Sequence, residues 1–75
     1  MNIAQLAPGD CVRLLSFGQT EIAYRRRLLS LGLTLGTSLQ VLRIAPLGCP
    51  LQVTFRGTEL ILRKNEAQHL QWERV

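Results

Sequence analysis

Seventy-five residues, 47% of them hydrophobic and with a formal net charge of +4, describe one domain over residues 1–75, of a size whose core rarely leaves more than roughly 3–5 kcal/mol of net stability. No stretch nears the roughly 18–20 uninterrupted apolar residues that cross a bilayer, and Met1 to Asp10 carries neither the basic start nor the apolar run of an export signal. The two cysteines, Cys11 and Cys49, are far apart in sequence and read as reduced thiols, so the expected location is the cytoplasm.

In chain order, Asn2 to Leu6 is a short amphipathic lead and Ala7-Pro8-Gly9-Asp10 a turn by composition. Cys11 to Phe17 reads as a first strand with Val12 and Leu14 on one face, ended by Gly18-Gln19. Thr20 is the expected N-cap of a helix over Glu21–Leu31, with Glu21 placing negative charge in the first turn, where the helix dipole favours it. Tyr24, Leu28 and Leu31 follow one apolar stripe; Ile22 and Leu29 share the adjoining face, and Arg25-Arg26-Arg27 lies mostly outside the stripe.

Gly32 stands where the helix must stop, since a residue without Cβ enters the left-handed conformation at little cost, and Leu33 just past it is placed to fold back on Leu28. Gly36 supplies a second turn. Beyond it the period changes to two: Leu39 and Val41 alternate with Ser38 and Gln40, and then Leu42 and Ile44 take over on the other parity. Such a switch within one strand predicts a bulge.

Ala45 to Pro50 is a loop held by two prolines, and Leu51 to Phe55 alternates cleanly. Arg56-Gly57 makes a tight hairpin, and Thr58 to Arg63 returns with Leu60 and Leu62 inward. Lys64 to Gln68 is a polar helical turn, and Leu70 and Trp72 sit in a closing strand. Five short strands with a helix after the first predict a mainly β fold, a small sheet closed into a barrel.

Catalytic and metal chemistry find little footing. His69 is the one histidine, no Gly-rich loop ends in Gly-Lys-Ser or Gly-Lys-Thr, and the five acids form no dyad. A structural zinc site asks for about four Cys or His ligands at regular spacing. His69 with Glu66 or Glu73, shared between two copies, and Cys49 are the metal candidates; no enzyme activity and no cofactor are expected.

The charge invites a nucleic-acid reading, and a small basic barrel binding RNA is one alternative, as is a peptide reader. Against RNA, the basic residues are scattered except at Arg25-Arg26-Arg27 and Arg63-Lys64, and none of the four aromatics sits in a basic strand as a stacking platform. A peptide reader of the SH3 type needs an aromatic-lined groove, and Phe55 and Trp72 read as core. Fifteen leucines exceed what a thin core needs, which leaves either simple exposure or a face for another copy or a different protein.

Arg26-Arg27-Leu28-Leu29-Ser30-Leu31-Gly32-Leu33-Thr34-Leu35-Gly36, then Val41 to Pro50, then Arg56-Gly57 and Leu60 to Lys64, resemble the ferrous iron transport protein A (FeoA) family over nearly the whole chain. The resemblance implies an SH3-like barrel with a helix inserted after the first strand. It also implies a cytoplasmic accessory role in ferrous iron uptake, acting on FeoB, a membrane permease with a GTPase domain. A similar domain ends iron-dependent repressors, but no DNA-binding helical domain is read here. The family commonly has proline where this chain has Leu35 and aspartate where it has Cys49; losing that proline presents a further apolar side chain. The expected partner-binding set is Arg25, Arg26, Arg27, Leu33, Leu35 and Leu47, with Leu31 beside them; under the bland reading Leu31 and Leu33 are core.

Overall fold

Alternating apolar residues build the sheet. The computed structural model describes residues 1–75. A 3-10 turn over Ile3–Gln5 precedes β1 (Cys11–Ser16), α1 (Ile22–Ser30), β2 (Ser38–Ile44), β3 (Leu51–Phe55), β4 (Thr58–Leu62), α2 (Lys64–Ala67) and β5 (Gln71–Arg74). The strands form one antiparallel sheet in the order β4-β3-β2-β1-β5. Inward residues Val12, Leu14, Leu39, Val41, Leu51, Val53, Phe55, Leu62 and Trp72 pack with Leu28, Leu33, Ala67 and Leu70 in one core. Burial of each large side chain contributes about 1.5–3 kcal/mol.

The expected barrel is an SH3-like sheet that does not close: β4 and β5 end it without pairing to each other. The two ends are treated differently. Met1 sits against the outer edge of β5, its amino group donating to the Trp72 carbonyl and its own carbonyl accepting from the Trp72 N–H, both at 2.8 Å. The outer edge of β4 has no such cover.

The parity switch in β2 is a bulge. Val41 faces Val53, Arg43 faces Gln52 and Ile44 faces Leu51, so Leu42 has no partner and turns to solvent. The extra residue brings Ile44 back onto the core side and increases the local bend.

The helix begins one residue later than expected and without Thr20 as its cap. Glu21 holds the cap position and makes no side-chain cap bond. Thr20 is buried, and its hydroxyl donates to the Phe17 carbonyl, as its own N–H does at 3.1 Å. Thr20 therefore stands one residue before the cap position, with its hydroxyl turned back toward Phe17, and its oxygen accepts no bond from the helix N-terminus.

The other end stops at Gly32 as expected, although the helix itself finishes one residue early, at Ser30 with Leu31 as its cap. Gly32, at φ +98°, lets its own N–H bond the Leu29 carbonyl at 3.0 Å and the Leu33 N–H bond the Leu28 carbonyl at 2.9 Å. Those are the two hydrogen bonds of a Schellman stop. Leu28 and Leu33 are both fully buried in the core.

Candidate functional site

Three consecutive residues on an α-helix are splayed over about 200°, so the arginine run cannot form one patch. Arg25 turns toward Phe17, its guanidinium 5.7 Å from the ring centroid, and lines a groove with Ser16, Gly18, Leu29 and Leu35. Arg27 turns the other way, toward Tyr24, Arg63 and Glu66. Arg26 lies between them, exposed, and lines neither groove.

The leucines divide as well. Leu33 is completely buried, which removes it from the expected docking set: the Schellman stop that ends α1 directs it into the core. Leu31, which the bland reading placed in the core, is 42% exposed at the end of α1. Leu35, at the turn before β2, is 58% exposed and shares its groove with Leu29 and Arg25. Leu47 is 97% exposed, but it lies in the loop between β2 and β3 and lines no groove with Leu35.

The surface that does form is one face of α1. Ile22, Arg25, Arg26 and Leu29 follow the i, i+3, i+4, i+7 spacing, and all four are exposed. Leu35 extends that face beyond the helix. Two exposed aliphatics on a helix with two arginines between them, and a third beside them, make an apolar surface with a basic component. Ile22 and Leu29 shared a face in the sequence pattern. What periodicity alone left open was which of two adjacent stripes would face water.

A second groove runs along the opposite side of α1. Its apolar end is lined by Leu28, Leu31, Leu60 and Ile61, and its polar end by Gln19, Glu21, Asn65, Glu66, Gln68 and His69; Tyr24, Arg27 and Glu66 belong to both. The Tyr24 hydroxyl is buried and makes no hydrogen bond. Burial holds its phenol above the ordinary value of 10.0; the negative charge of Glu66 adds to the shift, and Arg27 and Arg63 oppose it. Helical periodicity set Tyr24 on one stripe with Leu28 and Leu31, as found here, but carried no sign that its hydroxyl would be buried without a partner.

The metal candidates do not come together within the chain. Glu66 and His69 line the polar end of that groove, but Glu73 is on β5, paired with Arg13 of β1. Cys49 is in the β2–β3 loop, where its sulfur accepts the Lys64 backbone N–H at 3.4 Å. No group of three or more His, Cys, Asp or Glu side chains is arranged to hold a metal ion. Cys11 and Cys49 are both free thiols, and no helix is long and apolar enough to cross a membrane.

Comparison with known proteins agrees with this architecture. The FeoA domain family matches residues 1–74. The solution structure of the FeoA protein from Chlorobium tepidum is 41% identical, with a TM-score of 0.90 over 100% of this chain and 70% of that one. A Pseudomonas aeruginosa protein is 38% identical, with a TM-score of 0.72 over 96% of this chain and 97% of that one. FeoA from Stenotrophomonas maltophilia, crystallised with zinc, is 26% identical, with a TM-score of 0.79 over 97% and 89% of the two chains. That protein is described as a prokaryotic SH3 domain protein and a proposed activating factor of ferrous iron transport.

Proposed function

Because this chain belongs to the FeoA family, we propose that it is a non-enzymatic accessory protein of ferrous iron uptake that works in the cytoplasm by docking on the FeoB permease, through the GTPase-bearing part of that protein. The observation that carries the reading is the exposed α1 face: Ile22, Leu29 and Leu35 with Arg25 and Arg26 among them. A soluble domain this small gains nothing for its own fold from apolar side chains held in water. Arginine is enriched at protein interfaces and the fully buried centre of such a patch is apolar, a composition this face fits. The arginines orient the contact on an acidic partner surface and raise the rate of encounter, while the aliphatic groups supply the lasting part of the affinity.

The relative from Stenotrophomonas maltophilia, described as a proposed activator of ferrous iron transport, supports the same class of role. Capture of the FeoB cytosolic domain by the wild-type chain, Leu35→Asp, Leu29→Asp and Arg26→Glu tests it. All three positions are exposed, so the variants should fold and lose capture. Capture unchanged in all three rejects the α1 face as the docking surface. Iron uptake and GTP hydrolysis by FeoB, with and without this protein, then decide which step it regulates.

A further inference from the structure

The open side of the sheet combines three features that no intramolecular contact uses. The first is the bare edge of β4. Phe55 faces Thr58 across a two-residue turn whose residues Arg56 and Gly57 both have positive φ, so that pair is of the hydrogen-bonded kind. Alternation makes Val53–Leu60 and Leu51–Leu62 hydrogen-bonded too and turns the N–H and C=O of Glu59 and Ile61 outward. Neither residue enters a turn or cap hydrogen bond elsewhere.

The second is the groove beside that edge. Between β4 and α1, Leu28, Leu31, Leu60 and Ile61 line a cavity of about 170 Å³. This is below the roughly 300 Å³ at which small-molecule sites begin, and suits one aliphatic side chain. Leu31 and Ile61, which wall it, are 42% and 47% exposed.

The third is polar. Arg27 and Arg63 flank the cavity, form no salt bridge, and outnumber Glu66, the one acid in its lining. The Tyr24 hydroxyl, where this cavity meets the polar groove over α2, has no partner.

From this juxtaposition we infer that the groove between β4 and α1 is a second binding site, distinct from the α1 docking face, which takes an extended peptide segment as a sixth strand on β4. The backbone of the segment pairs with Glu59 and Ile61. One of its aliphatic side chains enters the cavity, and acidic residues on either side meet Arg27 and Arg63. The Tyr24 hydroxyl bonds a peptide carbonyl or carboxylate. Strand addition takes its affinity from main-chain hydrogen bonds and its selectivity from pockets for alternate side chains; here the edge supplies the first and the cavity the second. The two unpaired arginines choose an acidic segment over a second copy of this chain, whose formal net charge is +4. The inference does not require FeoB to be the source of the segment.

A display library of random peptides panned on the full chain supplies the probe. The expected winners are acidic with a central aliphatic residue. Bound to the chain, they should shift and protect the amides of Glu59 and Ile61 in NMR spectra. N-methylation of alternate peptide amides, which removes the donors to β4, should weaken binding about tenfold or more. Leu31→Glu, at an exposed wall of the cavity, should do the same, and Leu35→Asp should leave the affinity unchanged.

Binding that ignores N-methylation, winners that map to the Leu35 groove, or no enrichment over the Leu31→Glu protein would each overturn the assignment. So would concentration-dependent protection of the Ile61 amide in the chain alone, which would give the edge to a second copy. Loss of FeoB capture in the α1-face variants with peptide binding intact separates the two sites.

Discussion

Gly32 is the joint between helix and sheet, and Gly32→Ala isolates what its backbone contributes. A Cβ built at Gly32 meets only Phe55 Cε2, at 3.8 Å, an ordinary van der Waals contact, so space is not the obstacle. The obstacle is φ +98°, well beyond the left-handed well near +57°. An L-residue held there loses about 1–2 kcal/mol, offset by roughly 0.4–1 kcal/mol from the smaller conformational freedom of alanine in the unfolded chain. The net loss is about 1 kcal/mol, which lowers Tm by roughly 4–8 °C in a domain of this size. Gly18→Ala is the internal contrast: its Cβ would run into the His69 backbone carbonyl oxygen, which cannot step aside as a side-chain end can, so its loss should be larger, at about 1–3 kcal/mol beyond the conformational term. Trp72, the only tryptophan and fully buried, reports unfolding by fluorescence in urea and on heating. Gly32→Ala within about 0.3 kcal/mol of wild type, or equal to Gly18→Ala, refutes the assignment of the helix stop to backbone conformation.

Leu33→Ala should cost about 2–5 kcal/mol, comparable to the whole stability of so small a domain, and leave much of the chain unfolded at room temperature by circular dichroism; Leu47→Ala, at an almost fully exposed site, should stay within about 0.5 kcal/mol. Arg56 occupies positive φ at the β3–β4 turn, and Arg56→Asn should raise the urea midpoint, because asparagine adopts that conformation more readily; a lowered midpoint would show that the Arg56 side chain matters more than the turn. The phenol of Tyr24 is raised above 10.0 in the folded protein, so its neutral form favours folding below the unfolded value, and that contribution is lost as pH rises through the folded value. Stability measured in urea should therefore fall in alkaline solution above about pH 10, and Tyr24→Phe should reduce that fall while leaving stability at neutral pH unchanged or higher, since the hydroxyl makes no hydrogen bond. Absorbance titration of this lone tyrosine should place its midpoint above the ordinary value; a midpoint at or below it contradicts the burial argument.

The helix stop and the bulge were legible because each is a local contradiction in pattern. Leu31-Gly32-Leu33 sets a residue free to enter positive φ directly after strong helix formers, and Val41-Leu42 breaks a period of two. The N-cap was misread because the helix starts one residue later than its pattern, with Glu21 at the cap, and Thr20 belongs to the preceding turn, where its hydroxyl donates back to Phe17. The residues proposed for docking were harder. Leu33 and Leu35 are two apart and chemically identical, and only the three-dimensional path of the turn sends one into the core and the other into water. The arginine run looked like a patch because sequence adjacency ignores helical rotation, which carried Arg25 and Arg27 to opposite sides of α1. Whether the sheet closes depends on summed twist and on where α1 comes to rest beside β4, properties that no single segment encodes.

The unpartnered Leu42 has a consequence for variation in chain length. Without it, Leu39, Val41 and Ile44 would keep one continuous inside–outside phase, and the contacts of Val41 with Val53, Arg43 with Gln52 and Ile44 with Leu51 would close into an unbroken ladder. A one-residue deletion inside a central strand ordinarily turns every later side chain to the wrong face. At this position it would leave the interior residues where they are and cost only curvature. The middle of the sheet thus contains a place where the chain can shorten by one residue while its interior stays in frame.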